Sequence, residues 1–137
     1  MFDLAQRAAA TQRVIDRFRG RPFDWANRAT CIHLARAQMR ALGHRPPAIP
    51  DFRSPRGALT ALKKTGHDSL ESLLDAMLPR IAPLSMVVGD LALVPGSGPL
   101  DALAISAGGT LLMYHEQTEG LANVKDALPQ VKTAWRV

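Results

Sequence analysis

The chain has 137 residues, 47% of them hydrophobic and 21% charged, which fits one globular domain with a core of its own. No apolar run approaches the roughly 18 residues of a membrane span, and a single cysteine excludes an internal disulfide and a cysteine-built zinc site. The net charge of +5 is uneven: residues 1–64 carry 13 Lys/Arg against 4 Asp/Glu, whereas residues 65–137 carry 4 against 8.

A basic half of this kind suits an anionic polymer or an acidic protein partner. Aromatic residues make up only 5% of the chain, too few for a row of rings on which bases could stack, so nucleic acid is not the expected partner. Met1 to Gly20 has no continuous apolar stretch and no small-residue cleavage site, so a secretory signal is not expected.

Leu4, Ala8, Thr11, Ile15 and Phe18 recur at helical spacing, with Gln6, Arg7, Arg13 and Arg17 largely off the stripe; Gly20 and Pro22 end this first helix. Asn27 or Thr30 caps a second helix with the stripe Cys31, Leu34, Ala35, Met39 and Leu42, closed by Gly43. The proline-rich stretch 45–51 is a loop. Ser54-Pro55 has the cap and first-turn chemistry of a third helix that closes at Gly66. Asp68 or Ser69 starts a fourth, with Leu70, Leu73, Leu74 and Met77 inward and Pro79 as its stop.

Beyond Pro83 the pattern changes to short apolar runs: Val87-Val88, Leu91 to Val94, Ala102 to Ile105 and Leu111 to Tyr114. Pro95-Gly96-Ser97-Gly98 and Gly108-Gly109 separate them, as in a meander of antiparallel strands. Residues 120–129 read as a mixed connection and 132–137 as a last strand. Helices over 1–80 followed by strands over 86–137 predict a single α+β domain, with N-terminal helices packed on a small C-terminal antiparallel sheet.

Cys31 falls in the first turn of the second helix, where unpaired backbone N–H groups and the helix dipole favour a thiolate and hence a nucleophile. It also lies on the apolar stripe, the place of a buried structural cysteine. His33, two positions on, points to a different face. His44 and His67 fall in loops, and His115 ends a strand, where a base can sit. Asp90 after Gly89 reads as turn chemistry, and Asp101 opens a strand, where it can cap a turn or orient a partner. Gly96-Ser97-Gly98 lacks the lysine and helix of a phosphate loop, and no two histidines have metal-ligand spacing, so neither a cofactor nor a metal is expected.

Several segments together resemble a known pattern. Phe23-Asp24-Trp25 followed by Cys31 is similar to the F-x-W-G-x-x-D-C segment of NlpC-like, papain-like cysteine peptidase domains in phage tail and prophage clusters. Gly89-Asp90-Leu91-Ala92-Leu93-Val94 resembles their G-D-hydrophobic strand, Leu100 to Glu116 the hairpin after it, and Ala134-Trp135-Arg136-Val137 the usual ending. The match begins near Pro22 and departs at two places. Trp25 to Cys31 is one residue longer than the family segment and has Thr30 for its aspartate, and Asp101 stands where active members carry the catalytic histidine.

The resemblance implies an NlpC-like fold with a degenerate site of Cys31, Asp101 and His115. It implies a structural or adaptor component of a phage-like tail tip or baseplate, working in the virion beside other tail proteins and made in the bacterial cytoplasm. The alternative is an active peptidoglycan hydrolase with Cys31 as nucleophile. Asp101 weakens that alternative, since a nearby carboxylate opposes a thiolate and cannot protonate a leaving amine at neutral pH.

Overall fold

The computed structural model describes residues 2–96, 98–114 and 120–137. Four helices, α1 (Leu4–Arg19), α2 (Cys31–Ala41), α3 (Pro55–Lys64) and α4 (Leu70–Asp75), precede a six-stranded antiparallel sheet. Its strands are β1 (Arg80–Ile81), β2 (Leu91–Val94), β3 (Ala102–Ser106), β4 (Leu111–Met113), β5 (Ala122–Val124) and β6 (Thr133–Trp135). The α+β class and the order of helices before strands are as the sequence predicts.

The helices start where side chains satisfy the free N–H groups of the first turn. Asp3 and Gln6 form a reciprocal capping box on α1. Thr30, rather than Asn27, caps α2 by accepting from the His33 N–H. Ser54 caps α3 ahead of Pro55, and Ser69, rather than Asp68, caps α4.

The inward face of α1 differs from expectation. Leu4 is 62% exposed and Ala8 lies in solvent, while Arg7 is buried beside Ala10, Thr11, Val14, Ile15 and Phe18. Hydrophobicity ranks Leu4 above Arg7; the polar partners waiting for Arg7 inside the fold reverse that order.

The sheet order is β1-β6-β2-β3-β4-β5. Strands β2 to β4 follow the expected meander and β5 extends it, but β6 returns to pair with β2, and β1 adds outside it. Three local expectations are corrected. Val87-Val88 is not a strand: Gly89 takes φ +93°, and the Asp90 N–H donates to the Val87 carbonyl in a turn. β1 lies before residue 86, at the end of the stretch 1–80 read as helical. β5 falls in the expected connection, where Ala122 and Asn123 have little strand propensity and pairing with β4 decides.

Leu91, Ile105, Leu112 and Trp135 are register partners and share one sheet face; Ala92, Ala104, Met113 and Ala134 share the other. All of these are buried, so β2 and β3 read as continuous apolar runs rather than alternating ones. Helix α2 packs against β3, and α1 packs on α2. At the β6 side the Trp135 indole donates to Asp75 Oδ1 (2.9 Å) and the Thr133 hydroxyl to Glu71 Oε2 (3.1 Å), fastening α4 over the sheet. Among the described residues, no helix is long and apolar enough to cross a membrane.

Candidate functional site

The packing of α2 on β3 brings the first turn of that helix against the start of that strand. A cleft of about 160 Å³ opens there, lined by Cys31 and Ile32 of α2, Asp101 and Ala102 at the head of β3, and Gly96, Gly98, Pro99 and Leu100. Phe23 and Trp25 form an aromatic wall; their rings meet edge to face at 5.4 Å. Pro55 and Leu70 line it as well.

This wall is anchored at both ends. Phe23 also meets Tyr114 edge to face, and the Tyr114 hydroxyl donates to the Arg21 and Pro22 carbonyls at 2.8 and 3.0 Å. Trp25 leans on Phe52, and Phe52 on the His33 ring at 5.0 Å. Asp24 shapes the turn between Phe23 and Cys31 by accepting from the Ala26 N–H. The opposite rim turns tightly at Gly96, where a Cβ would lie 2.3 Å from the Leu100 carbonyl oxygen.

Cys31 and Asp101, far apart in sequence, thus share one cleft. Burial and ion pairing set their chemical states. Cys31 is 6% exposed, and burial pushes its thiol up, with backbone hydrogen bonds at Leu103, Cys31 and Ile32 pulling the other way. Asp101 Oδ2 accepts from the Lys132 ammonium at 2.9 Å, and that contact raises the Lys132 pKa, keeping the lysine a cation rather than a base.

His33 turns away from Cys31, as its spacing predicts. Its Nδ1 lies 2.8 Å from the Thr30 hydroxyl. Burial, then the cations Arg28 and Arg36, lower its pKa to about 4. His67 pairs with the Ser72 hydroxyl at 2.8 Å and is half-buried rather than solvated. His44 is also half-buried. His115 lies outside the described residues, as does Ser97 of the Gly-rich turn. Among the described residues, no group of three His, Cys, Asp or Glu side chains comes together as a metal site.

The sequence reading missed the role of Asp90. Beyond its turn with Val87, it is a fully buried ionic hub. Oδ1 accepts from Arg7 Nη2 (2.7 Å) and the Val137 N–H (3.1 Å); Oδ2 accepts from Arg136 Nε and the Val87 N–H, each at 2.9 Å. Arg7 reaches on to the Val88 and Val137 carbonyls. Next to it, the Gln38 amide donates to the Thr11 hydroxyl and the Gly89 carbonyl. A Cβ on Gly89 would meet those groups at 2.9 and 3.0 Å. Gly89-Asp90 is therefore the joint where α1, α2, β2 and residues 136–137 meet. The signal for it was an Arg and an Asp in otherwise apolar surroundings.

The family model described as Domain of unknown function (DUF6950) matches residues 4–137. No curated protein matches the sequence.

Proposed function

The chain belongs to the DUF6950 family, and within it we propose a structural or adaptor role in a phage-like tail tip or baseplate, built on a catalytically degenerate NlpC-like, papain-like fold. The observation that carries this reading is the pairing in the cleft: a buried thiol at the start of α2 faces the head of a strand whose first polar group is a lysine-bound carboxylate. A cysteine peptidase needs an imidazole to take the thiol proton and return it to the leaving amine. Asp101 does neither while it is tied to Lys132. The cleft has an aromatic wall of Phe23 and Trp25 against which an extended segment can lie without being cut.

The location in a virion and contact with other tail proteins come from the resemblance of residues 22–137. They are tested by the composition of purified particles: the chain present at fixed stoichiometry supports the role, and its absence from particles ends it.

A second reading, an active peptidoglycan hydrolase, is favoured by one observation, that Cys31 at the α2 N-terminus lines the cleft. It requires an imidazole from His115 or from a partner chain. Purified protein and its Cys31→Ser variant, incubated with peptidoglycan, separate the two. Fragments released only by the wild type establish the hydrolase and overturn the degenerate site. No release by either, alone or with intact particles, supports the adaptor.

A further inference from the structure

Four arginines lie on α2 and on the turn that leads into it, and two of them are held in place by backbone carbonyls. Arg21 Nη2 donates to the Asn27 carbonyl at 3.1 Å, and Arg36 Nη1 to the Pro47 carbonyl at 2.5 Å. A carbonyl fixes a guanidinium in place without cancelling its charge, and four of its five donors stay available. Arg28 Nε lies 3.4 Å from Asp51, which Arg53 shares at 3.8 Å. Among the described residues, Arg21, Arg36 and Arg40 have no acidic partner.

The field of this cluster is felt within it. After burial, Arg28 and Arg36 are the main causes of the lowered His33 pKa, with Arg21 adding to them and Asp51 opposing; after burial, Arg40 lowers that of Arg36. The fold thus holds like charges together at a cost that an anionic partner removes.

We propose that the face formed by Arg21, Arg28, Arg36 and Arg40 docks an acidic segment of a partner protein. Arg36 and Arg40 stand one helical turn apart on α2, so two planar guanidinium forks lie side by side. Carboxylates one turn apart on a partner helix match that spacing. Protein is favoured over single-stranded nucleic acid because the nearby rings are engaged with one another, Phe52 tilted against His33 and Trp25 edge to face with Phe52, and form no row on which successive bases could stack. The inference uses neither Cys31 nor Asp101 and stands apart from the tail-tip reading.

The test is fluorescence anisotropy of a labelled helical peptide with glutamates one turn apart, titrated with the whole chain at low and at physiological salt. The expected result is binding that weakens as salt rises. Arg36→Gln with Arg40→Gln should weaken it roughly tenfold, while Lys63→Gln with Lys64→Gln on α3 should leave it within about twofold. Arg40 is exposed and, among the described residues, its side chain makes no hydrogen bond or ion pair, so Arg40→Glu is the variant that keeps the test open if the double variant unfolds; it should shift preference to a peptide with lysines in place of the glutamates. Equal losses in the α2 and α3 variants, no binding to the wild type at low salt, or an unchanged preference in Arg40→Glu would overturn the proposal. So would a duplex DNA probe that binds through the same arginines more tightly than the peptide.

Discussion

Arg7 and Asp90, 83 positions apart in the chain, meet at 2.7 Å with side chains only 9% and 0% exposed. The Asp90 carboxylate is saturated by two arginines and two backbone N–H groups. Removing Arg7 takes one of two counter-charges from a fully buried carboxylate, at a cost bounded by the roughly 3–5 kcal/mol of a broken buried ion pair. Arg7→Met should therefore lower the urea midpoint of unfolding with little change in slope. Arg80→Gln, on a surface network with Glu71 and Asp75, should shift it far less. Equal shifts would mean that the hub contributes no more than an exposed ion pair.

Gly89 makes the same joint sensitive to a single methyl group. Its φ of +93° strains any other residue, and an added Cβ meets Thr11 Oγ1 and Gln38 Nε2 within 3.0 Å. Gly89→Ala should cost about 2 kcal/mol or more, read as a lower thermal midpoint. Gly109→Ala, whose Cβ meets nothing within 4 Å, is the control and should stay close to wild type.

His33 gives acid sensitivity with a definite sign. Its pKa is about 4 in the fold and about 6.5 in an unfolded chain, so between those values the unfolded state binds the extra proton. Its contribution is fully present above about pH 6.5 and is lost as the pH falls toward 4. Urea midpoints measured from pH 7 down to 4.5 should fall, and His33→Gln should flatten that slope. An equally steep slope in His33→Gln would assign the effect to other groups.

Cys31 should behave as a core thiol. At 6% exposure, with burial raising its pKa, it should react with a disulfide reagent at pH 7 at least roughly tenfold more slowly than free cysteine, and at the free rate once the chain is unfolded in urea. Fast reaction in the native state would mean an activated nucleophile and would reopen the hydrolase reading.

The local grammar of the chain was legible because each signal acts within a few residues. Ser54-Pro55, Thr30 and Ser69 start helices through bonds to N–H groups two or three positions away, and the sequence names them, though it left Asn27 and Asp68 as alternatives. The runs at 91–94, 102–105 and 111–114 hold β2, β3 and β4, the last ending at Met113. Cys31 and Asp101 could be named as candidates from their positions at a helix start and a strand start.

What one sequence window does not contain is the partner on the other side. Arg7 read as a surface residue until Asp90, Val88 and Val137 supplied its bonds, and Asp90 read as a turn for the same reason. Strands β1 and β5 are two and three residues long, and pairing with β6 and β4 defines them. The return of β6 to β2 and the meeting of Cys31 with Asp101 in one cleft follow from sheet order, which no periodicity encodes. Apolar spacing, caps and turn glycines determined the elements, because those effects are short-ranged. The tertiary structure alone decided which buried charges were neutralised, which short segments became strands and which arginines were left facing solvent, because each depends on groups brought together only when distant segments pack.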